Sequence, residues 1–222
     1  MRRRMLLGSS AAVLAALSLT VFAGWWQVDG PGAPERAGGT PLPLKAMEFR
    51  LTDHEGRSVG PKTLLGQPSM IFFGFTYCPD VCPTTLSDIS GWLNAMGDEA
   101  DRLNVVFITV DPERDTINAM ADYVRSFHRA IRGWSGPSGE IARAAGSFRV
   151  IYDKVPAESG NYTMSHTASV FLFDAEGRFV STIDYHEPRE IALPKIRRAL
   201  KNETAERRKS VETDNRADDS RR

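Results

Sequence analysis

The sequence predicts an α/β fold with a central mixed sheet flanked by helices, and three observations carry that expectation. Two continuous apolar runs, residues 69–75 and 104–110, have the length and composition of strands covered on both faces. Beside them, apolar residues return at helical spacing: Leu86, Ile89, Leu93 and Met96 in one segment, then Ile117, Met120, Tyr123, Val124 and Phe127 in another. Further on, residues 168–173 and 178–183 flank Asp174-Ala175-Glu176-Gly177, a turn that joins antiparallel strands.

Taken in order, residues 49–53 followed by Glu55-Gly56-Arg57 start a short hairpin. Strand 69–75 leads into a helix from about Pro83 to Met96, strand 104–110 into a helix over 116–127. A short strand at 131–134 and a helix at 139–148 come next, then the hairpin above and a last helix at 194–201. The succession of hairpin, βαβα, β, α, hairpin and α is the thioredoxin-like pattern, with its last strands antiparallel. No internal repeat is visible.

Residues 44–200 are therefore expected to form one domain, long enough to bury a real core. Ahead of it, Arg2, Arg3 and Arg4 precede an uncharged run from Leu6 to Trp26, roughly 20 residues, the length that crosses a bilayer. Trp25 and Trp26 at its outer end suit the membrane interface. Residues 1–26 are expected to be a signal anchor, although Val21-Phe22-Ala23 offers a cleavage site. The positive-inside preference then puts the rest of the chain outside the cytoplasm, on the periplasmic face of a bacterial inner membrane.

Residues 27–43, rich in Gly, Pro and Ala, read as a linker. Residues 201–222, almost wholly polar and charged, read as a disordered tail. Lys and Arg total 28 and Asp and Glu total 28, a balance that argues against a nucleic-acid partner.

The only two cysteines, Cys78 and Cys82, sit in Thr76-Tyr77-Cys78-Pro79-Asp80-Val81-Cys82-Pro83, where strand gives way to helix. Cys82-Pro83 reads as an N-cap with proline at the first helical position, so helix amides would favour the Cys82 thiolate. A three-residue spacer makes a wider bite than the usual redox dithiol and suits a metal between the sulfurs, while a disulfide across it stays open. His166 precedes the strand at 168–173, where redox members of the fold normally carry a cis-proline. No proline lies between Ala157 and Asp184. Two thiolates and an imidazole make a soft, low-coordination set suited to copper as Cu(I) or Cu(II). A closed structural zinc site would want a fourth ligand.

The motif Phe73-Gly74-Phe75-Thr76-Tyr77-Cys78 through Cys82-Pro83-Thr84, the run Asp111-Pro112-Glu113-Arg114-Asp115-Thr116 and the downstream His166 together resemble the Sco/SenC family. The likeness runs from about Pro43 to Leu200. It implies a membrane-tethered, thioredoxin-like copper protein, with Cys78, Cys82 and His166 as ligands and the binuclear copper site of cytochrome c oxidase subunit II, or a similar copper protein, as recipient. Tyr77 stands where the family often has histidine. Asp111 and Asp115 are expected either to tune the ligands or, more simply, to shape a turn with Pro112 and to cap the helix near Thr116. Met164 is a candidate extra soft ligand, and His54, His128 and His186 read as solvated.

Two functions compete. A copper chaperone would hold the ion between Cys78, Cys82 and His166 and pass it on by ligand exchange. A thiol-disulfide oxidoreductase would use Cys78 and Cys82 as a redox pair to reduce a partner's cysteines before metallation. Other copper chaperones or thiol reductases would then be further partners. A peroxiredoxin is set aside, because Pro79 and Phe75 stand three residues before Cys82 and Cys78, where that class needs Thr.

Overall fold

The computed structural model describes residues 39–157 and 161–201. The expected anchor, the linker up to residue 38 and the tail beyond residue 201 lie outside the described residues. Among the described residues no helix is long and apolar enough to cross a membrane. The end of the expected linker is part of the fold: Pro41 is buried, and Leu42 N–H donates to the Ser147 carbonyl at 3.1 Å.

Seven strands make the main sheet: β1 (Leu51–Asp53), β2 (Ser58–Val59), β3 (Ser69–Gly74), β4 (Asn104–Thr109), β5 (Ile131–Ser135), β8 (Val170–Phe173) and β9 (Phe179–Ile183), in the order β2-β1-β5-β4-β3-β8-β9. Strand β3 is parallel to β4 and antiparallel to β8, so it lies inside the sheet, and all six of its residues are buried, as its unbroken apolar run requires. A separate two-stranded sheet pairs β6 (Tyr152–Pro156) with β7 (Tyr162–His166).

The helices are α1 (Val81–Met96), α2 (Ile117–Val124), α3 (Ser138–Phe148) and α4, residues 189–201. Helix α1 buries Cys82, Thr85, Leu86, Ile89, Leu93 and Met96, the stripe that helical spacing predicts. Phe148 of α3 packs on Phe49, Phe73, Phe171 and Phe173, with ring centroids 5.2 to 6.2 Å away, which joins helix to sheet through tilted and edge contacts.

The β1–β2 and β8–β9 turns use one device, Asp-x-Glu-Gly-Arg. Buried Asp53 accepts from Arg57 N–H (2.9 Å) and Nε (2.7 Å), and buried Asp174 accepts from Arg178 N–H (2.9 Å) and Nε (2.8 Å). Each turn needs a residue at positive φ, supplied by Gly56 (84°) and Gly177 (79°).

The β6–β7 hairpin was not expected from the sequence, which reads as a loop through residue 167. β6 buries almost nothing and ends in Pro156, so it lacks the apolar signal of the other strands.

Candidate metal centre

Strand β3 ends at Gly74, and the chain turns through Thr76–Asp80 before α1. This is the carboxyl edge of the parallel strands, where α/β sheets place their sites. Cys82 is the second residue of α1 rather than its cap, and the capping position falls to Asp80. Its sulfur is fully buried beneath Gly74. Cys78 is half-buried, and its Sγ accepts the N–H of Cys82 at 3.3 Å. The helix amide expected to favour the Cys82 thiolate therefore serves Cys78.

The two thiols titrate as one unit. A hydrogen bond from Cys82 pulls Cys78 well below the ordinary thiol range against the opposing effect of burial, with further help from His166 and the Cys82 amide. The same contact, added to near-complete burial, pushes Cys82 up. The expectation of a lowered Cys82 pKa is thus corrected: the metal-free pair holds one thiolate, on Cys78.

His166 closes β7 instead of lying in a loop, paired across the hairpin with Tyr152. Its Nδ1 lies 2.9 Å from the Thr167 carbonyl, which can only accept. Nδ1 therefore donates to that carbonyl, which turns Nε2 toward Cys82 Sγ at 3.3 Å. Phe72 and Phe75 meet the imidazole at 66° and 88°, which fixes its plane and shields it from water. The ligand atoms of Cys78, Cys82 and His166 all lie within 4.8 Å of one another. That spacing lets one soft ion touch two sulfurs and a nitrogen after small adjustments.

Asp111 shapes the turn as expected, its carbonyl accepting Arg114 N–H (3.2 Å) and Asp115 N–H (2.9 Å), whereas Asp115 does other work than the expected cap. Thr116, not Asp115, caps α2, accepting from Ala119 N–H at 3.2 Å. Asp115 is fully buried and accepts from Thr76 N–H (3.0 Å), Thr76 Oγ1 (2.6 Å) and Thr109 Oγ1 (2.6 Å), which fastens the cysteine turn to the end of β4. Burial raises its pKa, and these hydrogen bonds only partly offset that. Asp111, also buried, pairs with Arg114 Nε and accepts from the Tyr162 hydroxyl at 2.9 Å. Neither carboxylate belongs to the cysteine–histidine group.

Met164 is buried and lines a cavity with Asp111 and Tyr152. Two of the remaining histidines are less solvated than expected: His54 Nδ1 accepts Gly133 N–H (3.1 Å) and His128 Nδ1 accepts Ala130 N–H (3.2 Å), each half-buried in a turn. His186 is exposed, as expected.

A thioredoxin-like fold that gathers two cysteines and a histidine at the edge of its sheet defines a class of soft-metal and thiol-redox proteins. The chain belongs to the SCO1/SenC family, which matches residues 39–201. It is 38% identical over 142 residues to "Protein SCO2 homolog, mitochondrial" of Homo sapiens, covering 63% of this chain and 52% of that protein. It is 33% identical over 157 residues to SCO2-like protein RP587 of Rickettsia prowazekii (strain Madrid E), covering 70% and 75%. Among solved structures, Bradyrhizobium japonicum ScoI with copper bound is 46% identical with a TM-score of 0.65, covering 72% of this chain and 99% of that one. The chain spans about half the length of the mitochondrial SCO2 relatives it matches from zebrafish (Danio rerio) and human.

Proposed function

We propose that this chain is a copper chaperone for cytochrome c oxidase assembly, binding copper through Cys78, Cys82 and His166 and delivering it to the binuclear site of subunit II or to a similar copper protein. The observation that carries this reading is the convergence of the three ligand atoms within 4.8 Å. A family relative solved with copper bound favours copper over zinc as the cargo. In the wider assembly, residues 1–26 would anchor the domain on the periplasmic face of a bacterial inner membrane, with 27–43 as linker.

The geometry supports transfer as well as binding. Cys78 is held well below the ordinary thiol range, so its sulfur is ready to take copper without first losing a proton. A three-ligand site leaves a position where a partner's thiolate can add before a donor ligand leaves. Cys78, half-buried, faces that approach, whereas Cys82 stays buried beneath Gly74.

The test is copper binding by the reduced protein, followed by visible and electron-spin spectra for Cu(II). A thiolate-to-copper charge-transfer band at one equivalent, lost in His166→Ala, is expected. Undiminished binding in that variant would remove His166 from the site.

One observation favours a second reading, a thiol-disulfide oxidoreductase. An accessible low-pKa sulfur on Cys78 beside a buried protonated one on Cys82 is the asymmetry of an attacking and a resolving thiol. Rapid reduction of a disulfide substrate by protein that takes up no copper would favour it.

A further inference from the structure

The proposed ligands stand on two separate pieces of the fold. The cysteines ride on the β3–α1 turn, and His166 rides on the β6–β7 hairpin, which is not paired into the seven-stranded sheet. A cavity of about 280 Å³, lined by Val110, Asp111, Pro112, Tyr152 and Met164 among others, lies where the hairpin meets the β4–α2 loop. With no backbone ladder to the main sheet, only the short link from His166 to β8 and side-chain contacts fix where the imidazole sits.

One side chain touches every part. The Arg114 guanidinium stacks over the Tyr162 ring at 3.9 Å and lies 4.9 Å from the Tyr77 ring, so it stands between the hairpin and the cysteine turn. Its Nε pairs with buried Asp111, and its Nη1 donates to the Tyr162 carbonyl at 3.0 Å. The Tyr162 hydroxyl returns to Asp111 at 2.9 Å and closes the loop. Tyr162, Met164 and His166 alternate along β7 and share one face, so a contact that seats Tyr162 also aims the imidazole. Lys154 adds a second tie, pairing with Glu113 at 2.6 Å and lying 4.6 Å from the Tyr162 ring.

We infer that Arg114, working with Asp111 and Tyr162, is a positioning residue that holds the His166 hairpin against the cysteine turn and so sets how tightly copper is kept. This inference rests on the copper reading of the site. It touches no ligand directly; it acts through where His166 stands.

The test is a double-mutant cycle on the reduced full chain, reading Cu(I) affinity by competition with a chromogenic chelator. Arg114→Ala is expected to weaken binding about 10- to 100-fold, the usual cost of losing an outer-shell partner. In a His166→Ala background the same change should cost nothing further, because its only route to the metal is gone. Arg114→Lys keeps the charge but not the planar stack and should recover only part of the loss. Tyr162→Phe, which deletes one hydroxyl and threatens the fold least, should give a smaller loss that also vanishes without His166, and it decides the matter if Arg114→Ala fails to fold. Unchanged affinity in the single variants, or an equal loss with and without His166, would overturn the inference while leaving the copper reading intact. Wild-type protein that binds no copper, or binds it equally well as His166→Ala, would instead overturn the copper reading and this inference with it.

Discussion

Gly74 and Cys82 stand so close that a Cβ built on Gly74 would meet the Cys82 sulfur at 2.6 Å. The same Cβ would meet the Phe107 ring at 2.8 Å, so neither side has room to yield. The bare backbone at the end of β3 is what lets a buried sulfur lie under the sheet edge and still face His166. Gly74→Ala should therefore displace Cys82, cost on the order of 1–3 kcal/mol by overpacking, and weaken copper binding along with it. Thermal unfolding and copper titration check both; an unshifted melting temperature would show that the sulfur has somewhere else to go.

Asp115 links titration to folding. Burial raises its folded pKa above the ordinary carboxylate value of 3.8. A group raised in the folded state contributes stability that is full below its unfolded pKa and is lost as pH rises through its folded pKa. Relative to Asp115→Asn, the wild-type protein should thus gain stability as pH falls toward 3.8. Urea unfolding of both proteins across that interval reads the difference, and a gap that instead widens with rising pH contradicts the assignment.

The thiols should react unequally. Cys78, held down to about 4, is a thiolate throughout the neutral range, whereas an ordinary thiol near 8.5 reacts roughly tenfold faster per pH unit below that value. Metal-free reduced protein should consume about one equivalent of iodoacetamide at a rate nearly flat from about pH 6 to about pH 8. Peptide mass mapping should place the label on Cys78. Label shared equally with Cys82 would remove the asymmetry that the second functional reading depends on.

Met164, the candidate extra ligand, should prove to be packing. It is buried in the core cluster on the inward face of β7. Met164→Leu conserves volume and should cost less than about 1.5 kcal/mol, with copper affinity unchanged within about twofold. A loss comparable to that of His166→Ala would make the thioether a ligand after all.

What could be read beforehand follows the range of each signal. The apolar runs of β3 and β4 and the stripes of α1 and α2 are encoded within a few residues, so the elements around the site were legible. The β6–β7 hairpin was not. Strand β6 exposes nearly all of its residues and β7 buries only Met164, so neither strand leaves an alternating apolar pattern. The placement of the α1 cap was off by two residues because Pro83 suits the third helical position as well as the first. Asp80 already occupied the cap.

By itself the sequence determined the αβ alternation, the cysteine pair at a strand-to-helix turn, and the three residue types that make a soft-metal set. The meeting of His166 with the cysteines was already expected; only the tertiary structure decided that it faces Cys82 in particular, and that Asp115 reaches back 39 residues to fasten Thr76. It also decided that the helix amide falls to Cys78 and that Arg114 lies between Tyr77 and Tyr162. The reason is physical. Periodicity and turn chemistry act through the backbone over a few residues, whereas the charge state of a thiol and the aim of an imidazole depend on which surfaces the sheet order brings together.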